Sequence, residues 1–274
     1  MLGTTMRNLL TYALLLALVL GGVLLFNAKA KARVTAADIA RTPVVVELFT
    51  SEGCSSCPPA DALLQKLQAQ QPAAGAEIIA LEEHVDYWNH DGWVDPYSSP
   101  EWTERQQIYV AHSKTGAYTP QLVVDGRSQF VGNNASQAEA EIEKEAHRIK
   151  TEVSLTATGP ETQGSARFSV SVGKLAENIA GDVAEVWLAV TEDGLHSAVS
   201  RGENSGRVLR HVATLRSLRK IGIADPGAAN ASFSGERVVK FDSGWNVENL
   251  HVAVFVQKRK SREILGAAST KIKG

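Results

Sequence analysis

The sequence predicts an α/β domain over residues 42–150 followed by an all-β, sandwich-like domain over 151–274. Three observations carry this reading. The apolar run Val44-Val45-Val46-Glu47-Leu48-Phe49 leads into Cys54-Ser55-Ser56-Cys57, as a strand leads through a short turn to a helix. From Thr42 to Lys150, strand-like and helix-like periodicities alternate. Beyond Thr151 the helical spacing fades, and about seven short alternating segments are separated by glycine, asparagine and aspartate turns.

The chain opens on a targeting segment, residues 1–32. Arg7 precedes an uncharged, leucine-rich stretch from Asn8 to Asn27, and Ala28-Lys29-Ala30 follows. That order of charged, apolar and small residues is a secretory signal, cleaved after Ala30 or Ala32. The apolar core is also long enough to stay as an uncleaved membrane anchor. Either way the remainder is exported, to the periplasm or its membrane face, where a disulfide persists.

Pro43–Phe49 reads as the first strand, and Ala60–Ala69 as a helix with Leu63, Leu64 and Leu67 on one face. Gly75 closes that region, and Glu77–Leu81 reads as a second buried strand. After a long aromatic loop, Pro100–His112 is a helix, with Ser99 as its cap and proline at its first position. Leu122-Val123-Val124, the pair Asp125-Gly126 and then Arg127–Val131 form a hairpin, since Asp-Gly tolerates the positive φ of tight turns. Ser136–Lys150, with capping residues at Asn133-Asn134, is the closing helix. The strand-like segments of the second half are Glu152–Thr158, Ala166–Val172, Ala184–Thr191, Arg207–Leu215, Glu236–Phe241, Leu250–Gln257 and Glu263–Ala267.

Of the 274 residues, 44% are hydrophobic and 21% charged, which suits a folded chain with room for two domains. Lysine and arginine number 28 against 30 acids, a net charge of −2, without the basic footprint of a nucleic-acid binder.

Cys54 and Cys57 are the only cysteines. A helix amino end lowers a thiol's pKa, and the thiolate is the nucleophile of disulfide exchange. First in the motif, where exposure is usual, Cys54 takes the attacking role, and Cys57 the resolving one. Pro58 and Pro59 fit if the helix begins at about Cys57, which leaves Cys54 on the preceding loop. An inert bond gains little from so short a loop. Zinc needs four ligands where the pair supplies two. Copper(I) needs fewer and softer donors, so a carrier using Cys54, Cys57 and His84 is the alternative. A non-catalytic interaction module with a static disulfide is the third reading.

These residues resemble thioredoxins: the apolar strand, then Cys54-Ser55-Ser56-Cys57, then Tyr118-Thr119-Pro120-Gln121 before the hairpin. The resemblance makes the first domain thioredoxin-like. It implies a cis bond at Pro120 and a substrate-docking backbone at Thr119, with exported thiol or disulfide proteins as partners and no cofactor. The chain is closer still to the exported bacterial family called domain of unknown function 1223. That similarity rests on Glu47–Asp61, His84-Val85-Asp86-Tyr87-Trp88, Gly92-Trp93, Tyr118-Thr119-Pro120-Gln121, and Gly202-Glu203-Asn204 with Gly206-Arg207.

Two positions depart from ordinary thioredoxins. Gly53 stands where a tryptophan usually precedes the first cysteine, and Glu47 matches only approximately their buried acid. Glu47 either accepts the proton of the resolving cysteine or pairs with a lysine or arginine. In the loop His84–Trp93, Trp88 and Trp93 serve as a small local core, while His84 and Asp86 are candidates lining the cysteine pocket. Arg201–Arg207 is a charged turn with His211 on the strand after it, and the second domain serves docking or packing.

Overall fold

In the computed structural model, the described residues are 41–272 except 91, 112–115, 163, 177–178 and 180. The expected targeting segment at 1–32 lies outside them. Among the described residues, no helix is long and apolar enough to cross a membrane.

The first half runs β1 (Thr42–Thr50), α1 (Pro58–Gln70), β2 (Ala76–His84), α2 (Pro100–Val110), β3 (Gln121–Val124), β4 (Ser128–Val131) and α3 (Ala135–Ala146). β1 and β2 pair in parallel, β3 joins β1 antiparallel, and β4 completes the hairpin. Even-numbered β1 residues Val44, Val46 and Leu48 pack with Leu63, Leu64 and Leu67 of α1 and with Ala138 and Ile142 of α3. The odd-numbered face meets α2, where Val45 packs near Trp102 and Phe49 near Tyr109. Each leucine buried in this way contributes about 1.5–3 kcal/mol.

Local chemistry explains the boundaries. Cys57 is the N-cap of α1, so Pro58 and Pro59 occupy its first turn, where a missing N–H removes no helical bond. The Ser99 hydroxyl accepts the Glu101 N–H at the start of α2, and Asn134 does the same for Gln137 at α3. Asp125 and Gly126 both adopt positive φ in the hairpin turn. A Cβ at Gly126 would lie 1.9 Å from the Arg262 carbonyl oxygen, so only glycine fits there.

The second half contributes β5 (Val153–Thr162), β6 (Ser165–Val172), β7 (Ala184–Glu192), β8 (Leu195–Ala198), β9 (Val208–His211), β10 (Thr214–Ile223), β11 (Phe233–Lys240), β12 (Leu250–Lys258) and β13 (Ile264–Lys271). Its strands divide in an unexpected way. β10, β7, β12 and β13 extend the first sheet into eight strands, in the order β13-β12-β7-β10-β2-β1-β3-β4. The join is Thr214 of β10 beside Glu82 of β2, with the Glu82 N–H donating to the Ala213 carbonyl. β5, β6 and β11 form a separate three-stranded sheet whose Phe168, Val170 and Val172 pack with Val186, Val190, Val252 and Val254 of the large one. The protein is thus a mixed α/β structure with one large sheet and few helices. The sheet crosses the expected boundary at 151.

Arg207–Leu215, which reads as one strand, is two. Ala213 takes a left-handed φ of 48° and turns the chain between β9 and β10. β8, too short and mixed to stand out in the sequence, pairs with β9 as a two-stranded hairpin.

Candidate functional site

Cys54 and Cys57 form a disulfide with their Cα atoms 5.4 Å apart. The motif follows β1 as a turn in which the Cys57 N–H donates to the Cys54 carbonyl. The expected exposure of Cys54 is not seen, because both cysteines are 0% exposed. The segment joining β8 to β9 lies against the backbone of this turn. Asn204 donates through Nδ2 to the carbonyls of Glu52 and Cys54, at 2.8 and 3.0 Å. Glu203 accepts the Ser55 N–H at 3.0 Å. The charged turn Arg201–Arg207 therefore sits on the CxxC turn itself.

Gly53 leaves room that Trp88 fills, since a Cβ there would meet Trp88 Cβ at 2.9 Å. Trp88 also donates through Nε1 to the Thr119 hydroxyl at 2.8 Å, so it links the CxxC turn to the Thr119-Pro120 segment. The Thr119-Pro120 bond is cis. A Cβ on Gly132 would touch both Ala60 and Pro120, at 3.3 and 3.4 Å, which puts Pro120 beside the first turn of α1.

Glu47 lies elsewhere. On the α2 face, away from α1, it takes Arg105 Nε at 2.6 Å and Nη2 at 2.5 Å, along with the Tyr109 hydroxyl. The pairing alternative therefore holds, and Glu47 is not brought to the cysteines. Burial pushes the neighbouring Glu83 carboxyl up, partly countered by Arg105. Asp86 also turns away, accepting the Thr103 hydroxyl at 2.6 Å on α2.

His84 is at the centre of a polar cluster. Parallel register sets Leu48 beside Glu82 and Thr50 beside His84, so Glu82 and His84 share the α1 face. His84 Nδ1 lies 2.7 Å from Asp95 Oδ2, and Nε2 lies 3.4 Å from Glu82 Oε2. The β8–β9 hairpin brings in His211, with Nδ1 3.4 Å from Glu82 Oε1 and Nε2 3.0 Å from Glu52 Oε1. Glu52 also accepts the Trp93 indole N–H at 2.8 Å. Trp93 is thus a partner of this cluster rather than part of a loop core. The two imidazoles stand edge to face, 4.6 Å between centroids, with Tyr97 against both.

Charge balance sets the titration of these groups. Burial alone would push the carboxyls of Glu82 and Asp95 up. His211 and His84 outweigh it at Glu82, and His84 with two backbone N–H donors outweighs it at Asp95, so each is held at about 2. Burial works against a charged His211, but Glu82 and Glu52 lift it to about 9. His84 is raised because Asp95 and Glu82 overcome its burial. Asp61, on α1 and bonded to the Thr50 hydroxyl at 2.6 Å, goes the other way. Burial first, then Glu82, raise it to about 7.

The sequence alone marks His84 as a site candidate but not Glu82, His211, Glu52, Asp95, Asp61 or Asn204. One signal was available. Glu82 and His84 stand two apart at the end of a strand that otherwise reads as buried, and that spacing puts both on one face.

Fold and site define an α/β protein with a covered CxxC disulfide beside a buried carboxylate–histidine cluster. The chain belongs to the family of proteins of unknown function DUF1223, which matches residues 45–257. Among solved structures it is similar to a protein from Agrobacterium tumefaciens, at TM-score 0.63 and 26% identity over 85% of this chain and 96% of the other. It also shares its fold with HBP35 of Porphyromonas gingivalis, at TM-score 0.59 and 18% identity over 85% of this chain and 76% of that one. No curated protein matches the chain.

Proposed function

We propose that the chain is an exported, periplasmic protein that exchanges thiols and disulfides with other exported proteins through Cys54 and Cys57. In this reading residues 42–150 are a thioredoxin-like core and 151–274 carry the cover of the site. The observation that carries the proposal is the Cys54–Cys57 disulfide at the amino end of α1, next to the Thr119-Pro120 segment at the head of β3. Support for the core comes from its order β-α-β-α-β-β-α and its strand sequence β2-β1-β3-β4.

In the reduced protein the Cys54 thiolate attacks a partner disulfide and releases one partner thiol. Cys57 then attacks Cys54 in the mixed disulfide, releasing the second partner thiol and leaving the Cys54–Cys57 disulfide; the reverse sequence oxidises a partner dithiol. With both sulfurs covered, exchange requires the 199–207 segment to lift off the CxxC turn. A copper(I) carrier built on Cys54, Cys57 and His84 is less well supported, because His84 Nε2 faces Glu82 and its Nδ1 is held by Asp95.

The test is insulin reduction and dithiol oxidation by the full chain and its Cys54→Ser variant. Activity that disappears in the variant supports exchange. Equal rates in the two proteins end the proposal.

A further inference from the structure

We propose that Glu82, His84 and His211 bind one divalent transition-metal ion of the zinc class, on the α1 face of the sheet beside the disulfide. Three donor atoms, one from each residue, lie within 4.8 Å of one another, and all three residues are buried. His84 Nε2 stands 3.4 Å from Glu82 Oε2, and His211 Nδ1 stands 3.4 Å from the other oxygen, Glu82 Oε1. With metal–ligand bonds of 2.0–2.1 Å, the edge of a tetrahedral coordination shell is about 3.3–3.4 Å.

The surroundings are those of metal-binding histidines. Such a histidine gives its second ring N–H to a carboxylate, which fixes the tautomer and aims the other nitrogen at the ion. Here Asp95 stands at His84 Nδ1 and Glu52 at His211 Nε2. Asp95 is itself held by the Glu52 N–H at 2.8 Å, and Glu52 by Trp93. Both orienting carboxylates are therefore fixed in place.

An independent observation points to a missing partner. His84 Nε2 is buried and makes no hydrogen bond among the described residues, although it points at Glu82 and His211. Its nearest acceptor, Glu82 Oε2 at 3.4 Å, is beyond a good N–H···O distance and close to the spacing of two ligands on one ion. Two imidazoles and a carboxylate suit zinc, iron(II), cobalt or manganese. Soft sulfur, which would select copper(I), is locked in the disulfide. The ion would tie β2 to β9, whose cluster residues Glu82 and His211 are 129 positions apart, and so hold down the hairpin that covers the CxxC turn.

The experiment uses the full chain stripped by chelator and titrated with Zn2+ and, separately, Co2+. Calorimetry, the Co2+ visible spectrum and thermal melting are the readouts. One equivalent binds, the melting temperature rises with Zn2+, and the Co2+ bands are those of a low-coordinate nitrogen–oxygen centre. His84→Gln and His211→Gln each weaken binding by at least about tenfold, and Asp95→Asn weakens it by about 10–100-fold. A Cys54→Ser/Cys57→Ser variant keeps the site, which separates this proposal from the exchange activity. A folded wild-type chain that binds neither ion overturns it. So does binding that survives both histidine changes or that vanishes with the cysteines. If a histidine variant fails to fold, the wild-type Co2+ spectrum decides, because a spectrum like that of the hydrated ion refutes the site.

Discussion

Removing Asn204 should open the disulfide to reductant. Asn204 is fully buried, donates to the Glu52 and Cys54 carbonyls, and accepts Arg207 Nη1 at 3.0 Å. Asn204→Ala deletes both donors to the CxxC turn. A hydrogen bond contributes a net of about 0.5–1.5 kcal/mol, so the two together hold the cover by about 1–3 kcal/mol. That difference multiplies the population of the uncovered form by about 5–150-fold. When reclosing is fast compared with attack, the reduction rate rises by the same factor. The assay follows reduction by dithiothreitol through thiol alkylation and mass shift, at several reductant concentrations, beside a urea melt. Ile142→Val is the control. It lies in the α1–α3 core and lowers global stability by about 0.5–1.5 kcal/mol without touching the cover. Local opening predicts a fast Asn204→Ala and an unaffected Ile142→Val. Wild-type rates in Asn204→Ala, or equal acceleration per unit of lost stability in both variants, refute the argument.

Arg105→Ala should destabilise the fold by about 3–5 kcal/mol in urea, because it leaves Glu47 and Glu83 buried without their cation. A loss below about 1 kcal/mol would mean that Tyr109 and water satisfy these acids unaided. Asp61→Asn should change the pH dependence of the chelated protein. With its carboxyl raised from 3.8 to about 7, chiefly by burial, wild-type Asp61 contributes stability that is complete below about pH 3.8 and is lost as pH rises through about 7. The amide keeps an oxygen for the Thr50 hydroxyl and does not titrate, so its melting temperature falls less over that interval. A slope equal to wild type would place the titration on another group.

How far the sequence could be read follows from the range of each interaction. β1, α1 and the β3–β4 hairpin were legible because their signals are local: an apolar run, leucines at helical spacing, and Asp-Gly between strands. The sequence pattern ends β2 at Leu81, whereas the strand continues to His84. Glu82, Glu83 and His84 look like a loop by polarity, but parallel pairing with Leu48, Phe49 and Thr50 of β1 runs on through them, and Thr214, His211, Asp95 and Arg105 satisfy their buried side chains. The expectation of a sandwich failed in part for a similar reason. Alternation marks β7, β10, β12 and β13 as strands, but which edge they join is decided by the Thr214–Glu82 contact and not by any pattern within them.

The same long-range pairing argues that cover and cluster act as one unit. The β8–β9 hairpin supplies both the loop that closes over Cys54 and, at its last residue, His211. Glu52 joins the two, since its carbonyl accepts from Asn204 while its carboxylate meets His211. Any change that loosens His211 from Glu82 and Glu52 therefore also loosens the anchor of the segment over the disulfide. An ion bound at Glu82, His84 and His211 favours the closed hairpin and must be overcome before the cysteines are exposed. The proposed metal site and the proposed exchange chemistry then oppose each other energetically. Zinc-loaded protein should accordingly be reduced more slowly than stripped protein, and the two should differ little once Asn204 has been replaced by alanine and the loop no longer follows the hairpin.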